Sequence, residues 1–194
     1  MLTRALVFLV ETVAGFFTVA LLLRFLLQWA RAAPHNPVSN FFNTLTNFAV
    51  RPARRIIPGL WGLDLATLML AWLTQLIELV LVLQLQGYDF GADAVPALMA
   101  MALLAVVMVL RFLLYIIIVA VIVQAVISWV NPYSPIAPLL NTLTRPLLRP
   151  FQRRIPPVAN VDLSPLFVII VCQLLLILPL AYAEGVLGTI VVAR

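Results

Sequence analysis

Four apolar stretches, each long enough or nearly long enough to cross a lipid bilayer, constrain this chain more than any other feature. They run roughly over residues 5–29, 65–85, 96–130 and 165–182. A helix needs ~20 apolar residues to span the hydrocarbon core, so the predicted fold is an all-α membrane protein with four transmembrane helices. The composition agrees. Of 194 residues, 64% are hydrophobic and 10% charged, with a mean hydropathy of +1.14, where a soluble domain is about half apolar and about a quarter charged. The third stretch is too long for one straight crossing. Either its first turns, around Pro96–Leu104, lie along the outer interface, or the helix tilts. The first stretch exceeds the ~7–15 residues of a signal-peptide core. It also carries Glu11 and Arg24, so it reads as a span rather than a cleaved leader, despite the small residues at Ala30–Ala33.

The charges set an orientation. All 12 basic residues are arginines. Arg31, Arg51, Arg54 and Arg55 follow the first stretch, and Arg145, Arg149, Arg153 and Arg154 follow the third. The connection over residues 86–95 carries only Asp89 and Asp93. Basic loops stay in the cytoplasm, which predicts Arg-rich loops inside and both termini outside; Arg4 and Arg194 count weakly against this. An arginine excess also suits nucleic acid, but short loops between spans argue against that partner.

The two halves repeat. At a shift of 98, Asn43-Thr44-Leu45-Thr46 becomes Asn141-Thr142-Leu143-Thr144, and Arg51-Pro52 becomes Arg149-Pro150. Arg55 aligns with Arg153, Pro58 with Pro156, Asp64-Leu65 with Asp162-Leu163 and Gln75 with Gln173. Before the loop the shift is 100, aligning Trp29 with Trp129. Two tandem units result. Residues 1–90 form the first, with loop 30–64; residues 91–194 form the second, with loop 131–164. Each is helix, basic loop, helix. They enter the membrane in the same sense, as parallel repeats about a pseudo-two-fold axis along the membrane normal.

Each loop carries an amphipathic helix. Val38, Phe41, Phe42, Leu45, Phe48 and Ala49 recur at helical spacing, with Asn40, Asn43, Thr44, Asn47 and Arg51 mainly between them. The second loop repeats this with Ile136, Leu139, Leu140, Leu143 and Leu147 against Asn141, Thr144, Arg145 and Arg149. Pro37 and Pro52 bound the first helix, Pro135 and Pro150 the second, and Pro146 should kink or shorten the latter. An Arg-rich, proline-containing segment then leads to the next span. Ser164-Pro165 reads as N-cap and first helical position, and Asp64 and Asp162 suit helix N-termini, where the dipole favours a carboxylate.

These loops resemble the YggT family of small bacterial and plastid membrane proteins, also called YlmG-like. The second loop carries the pattern most fully: Asn131-Pro132-Tyr133-Ser134-Pro135, Leu143-Thr144-Arg145-Pro146-Leu147-Leu148-Arg149-Pro150, Arg153-Arg154-Ile155-Pro156-Pro157 and Asp162-Leu163-Ser164-Pro165. The first has Asn36-Pro37, Arg51-Pro52, Arg54-Arg55-Ile56-Ile57-Pro58-Gly59 and Asp64-Leu65. It departs at Ala66-Thr67, where the pattern wants Ser-Pro, and at Asn47 and Ala49. The resemblance covers nearly the whole chain. It implies a two-unit, four-helix inner-membrane protein, and a link to osmotic or potassium tolerance or, in relatives, to cell division or membrane-complex assembly. It implies little about mechanism.

Three sets of residues are candidate sites. Glu11 and Arg111 are equivalent at the shift of 100 and either pair across the repeat axis or snorkel separately at the outer interface. Gln75 and Gln173 either tie helices together or line a polar path, and Glu78 lies three residues beyond Gln75. Arg24 should snorkel towards the cytoplasmic surface; its equivalent is Gln124. The loop set, Arg51, Arg54, Arg55, Arg149, Arg153 and Arg154, suits anionic lipid headgroups, each worth ~1 kcal/mol near a charged leaflet, or a docked protein partner. Asp64, Asp162 and Ser164 read as caps. Catalytic patterns are lacking: His35 and Cys172 stand alone in different halves, and no glycine-rich phosphate loop is visible. The expected protein is therefore non-catalytic and without cofactor, with no oligomeric state legible. It is a scaffold or assembly factor working through its loop helices, or else a small transporter or channel component in ion balance.

Overall fold

The computed structural model describes residues 1–31, 37–59, 63–88, 94–131, 133–154 and 162–192. His35, Trp61, Asp89, Asp93, Pro132 and the Ile155-Pro156-Pro157 motif lie outside them. The fold is all-helical among the described residues. In chain order the helices are α1 (Leu2–Trp29), α2 (Pro37–Ile56), α3 (Leu65–Leu85), α4 (Ala94–Val130), α5 (Ala137–Gln152), α6 (Ser164–Leu175) and α7 (Ala181–Val192), with a π-helical turn, Leu176–Leu180, joining α6 to α7. Four spans are long and apolar enough to cross a membrane: α1, α3, α4 and the composite Ser164–Gly188.

The contacts fall into two similar sets. α2 packs on α1 and α3, and α1 on α3; α5 packs on α4 and α6, and α4 on α6 and α7. α4 joins the sets through α1 and α3, and it contributes to every core cluster. Val109, Ile116 and Ala120 meet Leu21, Leu22 and Leu26 of α1. Ile118 and Val121 meet Val168, Cys172 and Leu176. Ala97, Ala100 and Met101 meet Leu83 of α3. Small residues at this last contact allow close approach of the helices, and the Trp72 indole N–H donates to the Ala102 carbonyl at 2.9 Å.

Four sequence expectations need correction. The first turns of α4 do not lie apart along an interface. The helix is continuous over 37 residues, and Ala97, Ala100 and Met101 are buried against the end of α3. Pro96, in the first turn, lacks an N–H that would be unbonded there anyway.

The fourth span does not stop at Tyr182. It continues to Val192 through Pro179, which sits inside the π turn. Proline removes an i→i−4 bond and its ring collides with the preceding turn; a widened turn accommodates both.

The loop helices are not bounded by their second prolines. α2 continues past Pro52 to Ile56, and α5 runs through Pro146 and Pro150 to Gln152 without being shortened. All three prolines are exposed, so the carbonyls they free can be satisfied from outside the protein. Arg51, Arg54, Arg55 and Arg149 thus ride on helices, and only Arg153 and Arg154 follow one. Arg54 and Arg55 occupy the last turn of α2, where the dipole favours cations.

Finally, the fourth span begins at Ser164 itself, with Leu163 in the N-cap position. Ser164 is therefore the first helical residue and not the cap.

Candidate functional site at the loop helices

α2 docks on the bundle largely by a polar stripe, with Val50 buried in the core beside it and Phe48 against Phe17 of α1. Ser39, Thr46 and Val50 are its buried residues, while Phe41 and Phe48 are 58% and 74% exposed. The stripe meets Arg24, which does not snorkel freely: the residue is only 7% exposed. Its Nη1 donates to Thr46 Oγ1 at 2.8 Å, to Asn47 Oδ1 at 3.0 Å and to the Asn43 carbonyl at 3.4 Å. Thr46 Oγ1 in turn donates to the Phe42 carbonyl at 2.6 Å. One α1 side chain thereby ties three polar positions of α2 to the membrane bundle.

A second tie closes the loop. Arg54 bonds Asp64 through Nη2 at 2.5 Å and Nε at 3.2 Å, and also donates from Nη2 to Gln28 Oε1 at 3.0 Å. Asp64 caps α3 as predicted, accepting from the Thr67 backbone N–H and hydroxyl. Burial pushes the Asp64 carboxyl up, but the hydrogen bonds from Arg54 and Thr67 and the Arg54 charge outweigh it and hold the group below the usual carboxylate range. In the second set Gln152 takes the place of Arg54 at the shift of 98. It donates to Asp162 at 2.8 Å, and Asp162 accepts from the Ser164 backbone N–H at 2.8 Å. Burial opposes these bonds there too, and they prevail, lowering the Asp162 carboxyl. The loop-to-helix tie is therefore present in both halves, as an ion pair in one and as an amide bond in the other.

A cavity of about 450 Å³ opens beside these ties, lined by Arg24, Gln28, Asn43, Asn47, Arg51 and Arg54 among others. The corresponding cavity of the second half, also about 450 Å³, is lined by Gln124, Ser128, Asn141 and their neighbours and has no arginine. A third, of about 430 Å³, lies between the end of α1 and α5 and gathers Arg31, Arg145 and Arg149. Arg31 holds a left-handed conformation at the helix end, φ 53°, the position glycine usually takes. The six predicted loop arginines are all exposed. The cavities bring Arg51 and Arg54 together but place Arg149 elsewhere, and neither cavity lining includes Arg55, Arg153 or Arg154.

The intramembrane candidates separate. Arg111 pairs with Glu184 of α7 at 2.7 Å, not with Glu11. Glu11 is exposed and lies within electrostatic reach of Glu78. Gln75 is fully buried and donates to Thr18 Oγ1 of α1 at 3.2 Å and to Glu78 Oε2 at 2.5 Å. Gln173 is exposed and does not repeat this arrangement. Its would-be partners, at the shifts of 100 and 98, are Ile118 and Leu176, both apolar and buried in one cluster. Sequence reasoning missed Glu184 because it ended the span at Tyr182, two residues short. It missed the role of Arg24 because a lone arginine near a helix end is ordinarily solvated. A signal was present in the Asn43, Thr46 and Asn47 stripe, which offers oxygens at helical spacing one turn from each other. Among the described residues no group of three or more His, Cys, Asp or Glu is placed to hold a metal.

Four long apolar helices joined by docked basic helices define a multi-pass membrane protein of the helical class. The CCB3/YggT family profile matches residues 3–85 and again 103–183, and the chain belongs to that family. It is 37% identical to Pseudomonas aeruginosa protein PA0392 over 90% of this chain and 87% of the relative. It is 31% identical to the YggT protein of Escherichia coli K12 over 96% of this chain and 93% of the relative. A Vibrio alginolyticus protein, described by its place in the proC 3' region, is 30% identical over 95% and 94%. All three are named as uncharacterized proteins. No solved structure matches.

Proposed function

We propose that this chain is a non-catalytic inner-membrane scaffold or assembly factor. It holds two basic helices at the cytoplasmic end of its bundle, termini outside, for anionic lipid and for a protein partner. The observation that carries this reading is the double anchoring of the first loop helix. Arg24 fixes its middle and Asp64 fixes its end, so α2 is a positioned surface rather than a slack connection. Each such bond contributes only about 1 kcal/mol. Together they hold the arginines of α2 on a rigid element. The exposed Phe41 and Phe48 lie seven residues apart on one face, as suits a helix seated at the boundary of the acyl chains. Positive-inside bias supplies the orientation.

A second reading rests on the Thr18–Gln75–Glu78 chain, a buried polar line across the α1–α3 contact that ends on an acid. Intramembrane acids commonly mark ion pathways, and this favours a small transporter or channel component in potassium or osmotic balance. Flux measured in liposomes separates the two. The scaffold reading expects wild type to conduct no more than empty liposomes. Potassium-selective flux that Glu78→Ala abolishes, and that joint replacement of Arg51, Arg54, Arg149 and Arg153 by Gln leaves intact, would overturn it.

A further inference from the structure

We infer that the cavity between α1 and α2 is a phosphate-binding site, with Arg24, Arg51 and Arg54 as its ligands, and that the equivalent cavity of the second half is not. This rests on the reading above, that the loop side works at an anionic surface, and it names the group recognised there.

The charge is unbalanced. Three guanidinium groups line one cavity, and among the described residues one of them, Arg54, bonds a carboxylate, that of Asp64, so three positive charges meet one negative and +2 remains. The imbalance falls on particular atoms. Among the described residues, the partners of Arg24 are neutral oxygens held through Nη1, and its buried Nε–H meets no acceptor. Leaving a buried charged donor unbonded is costly, and an anion in the adjoining cavity removes that cost. Arg51 forms no ion pair among the described residues and stands one turn beyond Asn47, facing the same space. Arginine forks match phosphate oxygens bidentately. Ser39, Asn43 and Asn47 supply further neutral donors around the rim.

The second half provides an internal comparison. At the repeat shifts, Arg24, Gln28, Ser39 and Asn43 become Gln124, Ser128, Ala137 and Asn141, and these line its cavity. The space persists while the cations are gone. An arrangement needed only for helix docking gives no reason for three arginines to line this cavity and none to line its counterpart. The cationic cavity also adjoins an apolar one of about 460 Å³ on the same helices, where Leu23, Val38 and Phe42 form part of the lining and Leu27 belongs to both. A phosphate esterified to a lipid has room for its chain there; inorganic phosphate would fill the polar half alone.

The test uses the full chain in neutral-detergent micelles at fixed ionic strength. Thermal unfolding is followed against increasing phosphatidylglycerol in one arm and inorganic phosphate in the other, with chloride as the control, and Kd is read from the stabilisation. Saturable stabilisation is expected in at least one arm. Lipid alone identifies a headgroup site, and stabilisation by inorganic phosphate identifies a site for the free anion. Arg51→Gln, an exposed helical position, should weaken Kd about tenfold or more, the loss of a charged hydrogen bond. Arg51→Lys should recover part of it. Arg4→Gln, which removes the same charge at the opposite end of α1, should change Kd less than about twofold. Arg24→Gln, which copies the second half, should abolish saturation. No saturable stabilisation in either arm, or equal losses for Arg51→Gln and Arg4→Gln, would overturn the site. Failure here is distinct from failure of the scaffold reading, which turns on flux: a chain can conduct nothing and still bind no phosphate.

Discussion

Asp64 shows how one side chain serves several structural ends. Its carboxylate caps α3, bonds the Thr67 hydroxyl and receives the guanidinium of Arg54 from the end of α2. Its folded pKa lies below the ordinary value, because Arg54 and Thr67 outweigh the opposing effect of burial. Such a group binds a proton less readily when folded, so its stabilisation is present above the unfolded value of ~3.9 and is lost as pH falls through the folded value. Asp64→Asn should therefore be less stable than wild type at pH 7, and the difference should shrink steadily once pH drops below about 4. Denaturant unfolding at a series of pH values checks this; a difference that stays constant from pH 7 to pH 3 would show that the charge is not what matters. Arg24 teaches a complementary lesson. Its identity was plain in the sequence, but its burial depends on α2 turning a polar stripe inward, and a periodicity of apolar residues points to the opposite face.

At the level of elements, legibility followed apolar length. The second apolar stretch and α3 share the bounds 65–85, and the third stretch falls two residues short of the start of α4. Helices that meet lipid must be apolar nearly all round, so their extents are written in the residues themselves. Prolines misled where they were read as bounding or shortening the loop helices: Pro52, Pro146 and Pro150 sit inside them. The end of the fourth span cost the most information. Cutting the span at Tyr182 hid Glu184 and left Arg111 to be assigned to Glu11 by repeat symmetry. A double-mutant cycle distinguishes the two pairings. Arg111→Gln with Glu184→Gln should show a coupling of ~1 kcal/mol in micelle unfolding, in keeping with a partly exposed pair, and Arg111→Gln with Glu11→Gln should be additive. Coupling to Glu11 and none to Glu184 would mean that α7 sits differently on α4.

For the whole molecule, the two halves share a plan and differ in charge. Arg24, Arg54 and Thr18 in the first half become Gln124, Gln152 and Ile118 in the second, so the buried ties of Arg24 and Gln75 belong to the first half, and the cavity equivalent to the α1–α2 one carries no arginine. The repeat itself was legible because its matches fall on Asn, Thr, Arg, Pro and Asp, which packing alone does not demand. Its asymmetry was not, because the meaning of each Arg-to-Gln exchange depends on which neighbours the fold supplies. The function proposed for the loop helices requires them to face the cytoplasm, and side-specific labelling tests this most directly. In a Cys172→Ala background, single cysteines replace Arg153 on the loop side and Arg4 near the N-terminus, and intact spheroplasts are treated with a membrane-impermeant maleimide. Arg4→Cys should label at once, and Arg153→Cys only after the membrane is opened or inverted. The reverse pattern would place the arginine-bearing helices outside and contradict both the scaffold and its cytoplasmic phosphate site.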